Sequence, residues 1–196
     1  MATPLALPPA GRTRPRNLLN ISVMMVVTGG VGLFAALIAA YVAVSNVAQT
    51  WPPAGVHFDD YVGNMLALTA IMSGVTVEWA WYSVRRDDRA QTAWGLLLTA
   101  LFGLATLNLV FFLGRSIGFG PGNAKVGPFA VVFFALLSAA GAVGILGIIA
   151  VVMAMARTIG GQMTPVNNEM VRAVCWLWDF VVISWIAVYA TLFVFT

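Results

Sequence analysis

Two acidic residues, Glu78 and Asp179, lie in long segments that are otherwise largely apolar. An acid inside a membrane span costs at least about 2.5 kcal/mol unless it is paired or hydrated, so such residues are candidates for function. Glu78 precedes Arg85 by seven residues. Asp179 follows Arg172 by the same number, which puts each acid about 10 Å from its arginine along a helix.

Because both acids are expected at about the same depth in the membrane, three interpretations of them remain open. Each acid could meet an arginine or the head-group zone separately. The two could form a direct carboxyl pair that shares a proton, because two carboxylates in a low dielectric cannot both ionise cheaply. They could also handle protons for a partner subunit.

Few other residues offer evident chemistry. His57 is the only histidine and Cys175 the only cysteine. One histidine cannot supply two protein ligands to a haem, and one cysteine permits neither an internal disulfide nor a cysteine metal cluster. The sequence therefore predicts no catalytic residue, no metal site and no cofactor in this chain.

Composition predicts an integral membrane protein. Hydrophobic residues make up 61% of the 196 residues and charged residues 9%, against about a quarter charged in soluble domains. The net charge is +3. Because the basic residues flank apolar blocks and form no patch, we expect no nucleic-acid partner.

Five apolar blocks are each long enough for the roughly 20 residues that cross a bilayer. Barrel strands would be shorter and would alternate in polarity, so the blocks are predicted to be helices. We predict a cytoplasmic N-terminal arm over 1–19 and an all-α membrane domain over 20–196, with transmembrane helices at about 20–44, 61–84, 92–113, 128–156 and 171–195.

The distribution of arginine and lysine predicts the orientation. With a cytoplasmic N-terminus and an external C-terminus, two basic residues lie outside, Arg115 and Lys125. Eight lie inside: Arg12, Arg14, Arg16, Arg85, Arg86, Arg89, Arg157 and Arg172.

Small residues mark two of the predicted helices. Gly29, Gly30 and Gly32 lie in the first helix, and the fourth carries Ser138, Gly141, Gly144 and Gly147. Such spacing lets backbones approach closely. It fits helix packing within the chain, and it also fits binding of a lipid or of a partner helix.

Four stretches carry a resemblance to a known family. They are GLFAALIAAY at 32–41, WPPAGVH at 51–57, SGVTVEWAWYSVRRDDR at 73–89 and AVCWLWDFVVISWIAVY at 173–189. In their order and spacing they resemble subunit III of haem-copper terminal oxidases of the cytochrome c oxidase type, in its short five-helix bacterial form. The similarity extends along nearly the whole chain after Asn20.

The resemblance implies a non-catalytic subunit of a respiratory complex in the bacterial plasma membrane. Haem and copper would belong to the partner, catalytic subunit I, and cytochrome c oxidation coupled to O₂ reduction would belong to the complex, which contains further oxidase subunits. The resemblance also implies phospholipid in a cleft between the first two helices and the other three. Candidates for its mouth are Trp79, Arg85 and Trp178.

Several positions depart from the family's pattern. Gly29 stands where a glutamate is usual, and Val110 and Leu113 replace a glutamine and a glutamate. In the last two helices, 140–143 lacks the family's two histidines, and Asp179 and Val182 replace a histidine and an aspartate. The resemblance is thus to a divergent member of the family, which lacks most of the family's buried polar groups.

Two other functions remain open from the sequence. A companion subunit of a nitric oxide reductase would have a similar five-helix form. A small transporter or channel would need polar groups along a pathway, and the third and fourth predicted helices offer almost none.

Overall fold

The structure, a computed structural model, describes residues 18–53, 56, 58–120 and 127–194. Arg12, Arg14, Arg16, His57 and Lys125 lie outside this described part. Its elements are the helices α1 (Leu18–Val47), α2 (Asp60–Arg85), α3 (Arg89–Ser116), α4 (Pro128–Ile159) and α5 (Glu169–Tyr189), followed by a π-helical turn, Ala190–Val194.

Four of the five helices are long and apolar enough to cross a membrane: α1, α3, α4 and α5 with its π-helical extension. The protein is therefore an all-helical membrane protein. The remaining helix, α2, has 26 residues but carries more polar side chains, among them Asn64, Ser73 and Glu78.

The boundaries of α2 and α3 follow from side-chain capping. Asp59 accepts a hydrogen bond from the Tyr61 backbone N–H at 3.0 Å, and Asp88 accepts one from the Gln91 N–H at 2.9 Å. Each carboxylate satisfies an orphan amide at a helix start. Between the two helices Asp87 adopts a positive φ of 60°, which allows α2 and α3 to turn sharply into an antiparallel pair.

Helix α5 holds the bundle together. It packs against α1, α2 and α4, while α2 and α3 form the most extensive pair. Helix α1 packs against α4 and α5. A cleft that separates the first two helices from the other three does not fit this packing, because α2 packs most extensively on α3 and α1 packs on both α4 and α5.

The α1–α5 contact depends on one glycine. A Cβ added at Gly30 would collide with the ring of Phe180, whereas Gly29 and Gly32 have nothing within 4 Å. Phe34 meets the same Phe180 ring edge-on, with centroids 6.0 Å apart. Of the three glycines in α1, Gly30 is therefore the one that serves packing within the chain.

The two ends of the bundle differ in chemistry. One, here called the arginine end, carries the described arginines Arg85, Arg86, Arg89, Arg157 and Arg172. There the Arg89 Nε donates to the Thr158 carbonyl at 2.8 Å and ties the start of α3 to the end of α4.

The other end, here called the opposite end, contains a cluster of rings, the ring cluster: Tyr41, Trp51, Phe58, Phe119, Phe129 and Phe133. Trp51 lies 4.9 Å from Phe129 and 5.0 Å from Tyr41, centroid to centroid. Its indole N–H also donates to the Tyr41 hydroxyl at 3.2 Å. The ring cluster thereby joins the loops at this end to α1 and α4.

Candidate functional site

The structure brings the two intramembrane acids together. Glu78 on α2 and Asp179 on α5 lie within hydrogen-bonding reach of each other. A carboxylate can only accept hydrogen bonds, so a direct bond between the two side chains would require a proton on one of them. The glutamate is exposed at the surface of the bundle and the aspartate is half-buried.

The arginines nearest the acids along α2 and α5 lie over aromatic rings. The guanidinium of Arg85 lies over the Trp81 ring, 5.1 Å from its centroid. That of Arg172 lies over the Trp176 ring at 5.3 Å. Both arginines thus stack on an aromatic residue of their own helix.

Further polar contacts join α5 to α2 on either side of the acids. The Trp178 indole N–H donates to the Ser73 hydroxyl at 3.0 Å, and the Cys175 thiol donates to the Val77 carbonyl at 3.5 Å. Toward α3, the Thr76 and Thr99 hydroxyls lie 2.9 Å apart. We call this set the polar layer: Ser73, Thr76, Glu78, Thr99, Cys175, Trp178 and Asp179.

Small residues make room for the Trp178 indole. A Cβ added at Gly103 on α3 would lie 2.5 Å from the ring, and one at Gly147 on α4 would lie 3.0 Å from it. Trp178 is 2% exposed. The indole therefore sits where α2, α3, α4 and α5 meet, which explains the glycine at 147.

The buried position of Trp178 does not fit the role of lipid contact predicted for it. A head group could reach the ring only if the helices separated. The other two candidates are accessible: Trp79 is 38% exposed, and Arg85 is exposed near the end of α2. Trp79 follows Glu78 directly, and its side chain projects from a neighbouring face of the helix.

A groove of about 380 Å³ opens beside the acids, between α1 and α5. Asp179 is its acidic lining residue, and the rest of the lining is mainly apolar, including Met24, Val27, Trp176 and Phe180. The carboxyl pair is therefore reachable from the side of the bundle. It can hold a proton or receive a hydrogen-bond donor from a neighbour.

Sequence reasoning identified the acids but not the other hydrogen-bonding residues of the polar layer, Ser73, Thr76 and Thr99. A buried tryptophan usually needs a partner for its indole N–H, and a serine on an adjacent helix is a signal that could have been used. Within the described residues, no group of three or more His, Cys, Asp or Glu could hold a metal ion.

A family model described as cytochrome c oxidase subunit III matches residues 13–196. Among curated relatives, the cytochrome c oxidase subunit 3 of Oncorhynchus mykiss is 30% identical over 145 residues, which is 73% of this chain and 54% of the relative. That of Gallus gallus is also 30% identical over the same shares, and that of Petromyzon marinus is 26% identical over 76% and 56%. The chain spans about half the length of these relatives.

Proposed function

The chain belongs to the cytochrome c oxidase subunit III family, and from that premise we propose that it is a non-catalytic subunit of a haem-copper terminal oxidase. The observation that carries the proposal is the family match over residues 13–196, which includes all five helices. In this proposal the chain packs on the catalytic subunit, and the complex oxidises cytochrome c and reduces O₂.

The surface of α1 supports assembly with other subunits. Its described buried residues are Asn20, Phe34 and Tyr41, while large apolar side chains such as Met25 and Val31 are 72% and 55% exposed. Contiguous apolar surface of this kind is met by lipid or by another membrane subunit. The haem and copper would be held by the catalytic partner, since this chain contains one histidine and one cysteine.

We further propose that all five helices span the bacterial plasma membrane. Helix α2 is about 39 Å long at 1.5 Å per residue, which exceeds the roughly 30 Å hydrocarbon core. Its Ser73 and Thr76 side chains are directed into the bundle toward α5 and α3, so polarity is not an obstacle to insertion. A reporter fused after Thr196 should be external, and a cytoplasmic signal there would refute five spans with an internal N-terminus.

Phospholipid binding is proposed for the arginine end, at Trp79 and Arg85. A basic group near the membrane surface attracts a phosphate head group by about 1 kcal/mol, and tryptophan prefers the interfacial zone. In purified complex, Arg85→Ala should reduce the phospholipid retained, measured by mass spectrometry. Unchanged retention would exclude a part for Arg85.

The composition of the complex tests the proposed function. A tag on this chain should co-purify, in mild detergent, a partner with haem a and copper, seen in the absorbance spectrum and by metal analysis. A partner with haem b and non-haem iron would assign the chain to a nitric oxide reductase instead. A chain that purifies alone would favour a transporter and contradict the proposal.

A further inference from the structure

A second groove, of about 580 Å³, runs between α3 and α4 toward the opposite end. Its lining is mainly apolar and includes Leu107, Phe111 and Phe134, with Ser138 and Gly141 on the α4 side. Phe111 is 61% exposed. The groove lies away from the polar layer, and none of the functions proposed above uses it.

The small residues of α4 divide into two groups at this groove. A Cβ at Gly144 would meet Leu107 at 3.3 Å, and one at Gly147 would meet Trp178 at 3.0 Å, so these glycines serve packing within the bundle. Gly141 has nothing within 4 Å. The small residues of α4 nearer the opposite end thus border open space.

One charged residue lines the groove, at its end. Arg115 lies in the last turn of α3, and its guanidinium sits over the Phe111 ring, 4.6 Å from the centroid. The other arginines that the structure describes belong to the arginine end. A cation at the end of a membrane helix, at the end of an apolar groove, matches a ligand with an anionic head and an apolar tail.

The length of the groove suits an extended acyl chain. From Phe134 to Ile145 the lining of α4 extends about 16 Å at 1.5 Å per residue.

We propose that the α3–α4 groove holds one acyl chain of an anionic phospholipid whose phosphate contacts Arg115. The site goes beyond the proposed function, because it uses neither the candidates at the arginine end nor the contact with a catalytic subunit. Its failure would leave the family assignment and the oxidase proposal unchanged.

Native mass spectrometry of the full chain, with any subunits that co-purify, tests this site. Phosphatidylglycerol and phosphatidylcholine are added separately to delipidated protein, and binding of each is measured. The wild type should bind phosphatidylglycerol more tightly. Arg115→Gln should weaken it about five-fold, as expected for one lost surface charge, whereas the control Arg86→Gln, at the arginine end, should not alter this site.

A second variant tests the groove itself. Gly141→Leu should fold, because the added side chain enters open space, and it should remove binding of both lipids at this site. The matched control is Gly29→Leu, which adds the same side chain at an open glycine of α1. Unchanged phosphatidylglycerol binding in Arg115→Gln or in Gly141→Leu, or an equal loss in Gly29→Leu, would overturn the proposal.

Discussion

In the half of the bundle near the arginine end, α2, α3 and α5 are joined by hydrogen-bonding side chains, whereas near the opposite end α1, α4 and the loops are joined by rings. The polar layer uses directed bonds such as Trp178 to Ser73 at 3.0 Å. The ring cluster uses packing, with Phe129 1% exposed and stacked on Phe133 at 5.9 Å.

This difference affects how specifically one helix selects its neighbour and its register on that neighbour. An apolar contact in a membrane competes with lipid that is equally apolar, so packing alone selects a partner by shape. A buried hydrogen bond also selects by register, because a shift of the helix leaves a donor or acceptor unpaired. We therefore expect the polar layer to fix the register of α5 on α2, and the ring cluster to tolerate substitution better.

The largest effect is expected from Trp178→Ala. Loss of a buried tryptophan typically costs about 3–5 kcal/mol in the free energy of unfolding, and here four helices lose a common contact. Trp178→Phe should cost much less, because it removes mainly the indole N–H bond. Unfolding in detergent measures both, with Trp94→Ala as control, since Trp94 is 59% exposed. Equal stability of Trp178→Ala and Trp94→Ala would contradict the described packing.

The next largest effect is expected from a single methyl group at Gly147. Gly147→Ala places a Cβ 3.0 Å from the Trp178 ring, and overpacking typically costs about 1–3 kcal/mol. Gly141→Ala is the control and should be nearly neutral, because that Cβ meets open space. The two variants are compared in the same unfolding assay, and a loss at Gly141 as large as at Gly147 would show that the stripe packs differently.

A smaller effect is expected in the ring cluster. Phe129→Leu keeps an apolar side chain but removes the aromatic contacts with Trp51 and Phe133, and aromatic pairs contribute about 0.5–1.5 kcal/mol beyond burial. The loss of unfolding free energy should therefore be near 1 kcal/mol. A cost above that of Trp178→Ala would reverse the comparison between the two halves.

The five predicted helices are confirmed because they depend on a local feature, long apolar blocks. The matching depth of the acids stays a prediction from their distances to Arg85 and Arg172 along the helices. It could not predict that Trp178 lies inside the bundle. An aromatic near a helix end fits the interfacial belt as well as the interior, and the choice depends on Gly103 and Gly147, which are distant in sequence.

The same dependence on contacts between distant helices explains why the sequence could not predict which glycine of α1 is packed, or which helices α1 pairs with. Gly30 and Gly29 are adjacent and equally small, yet only the rotation of α1 about its axis decides which of them faces Phe180. The cleft was carried over from the family's organisation. In this chain α1 packs against α4 and α5, and pairing of helices that are distant in sequence cannot be read from composition or period.

The smallest effect is expected from Glu78→Gln. An amide can replace a protonated acid as hydrogen-bond donor, so the change in unfolding free energy should be within about 0.5 kcal/mol. If an arginine were the partner, the same variant would leave that cation unpaired within the membrane and cost several kcal/mol. Asp179→Asn is the reciprocal variant, and strict additivity in the double variant would show that the two residues do not interact.

The direct test of the central prediction, that Glu78 on α2 and Asp179 on α5 form a carboxyl pair with one shared proton, is infrared spectroscopy of the purified protein at neutral pH. The carbonyl stretch of a protonated carboxylic acid should be present in the wild type. It should shift or disappear in Glu78→Gln and also in Asp179→Asn, while Asp60→Asn, at the exposed start of α2, should leave it unchanged. Absence of a protonated carboxyl in the wild type, or a band insensitive to both variants, would contradict the account.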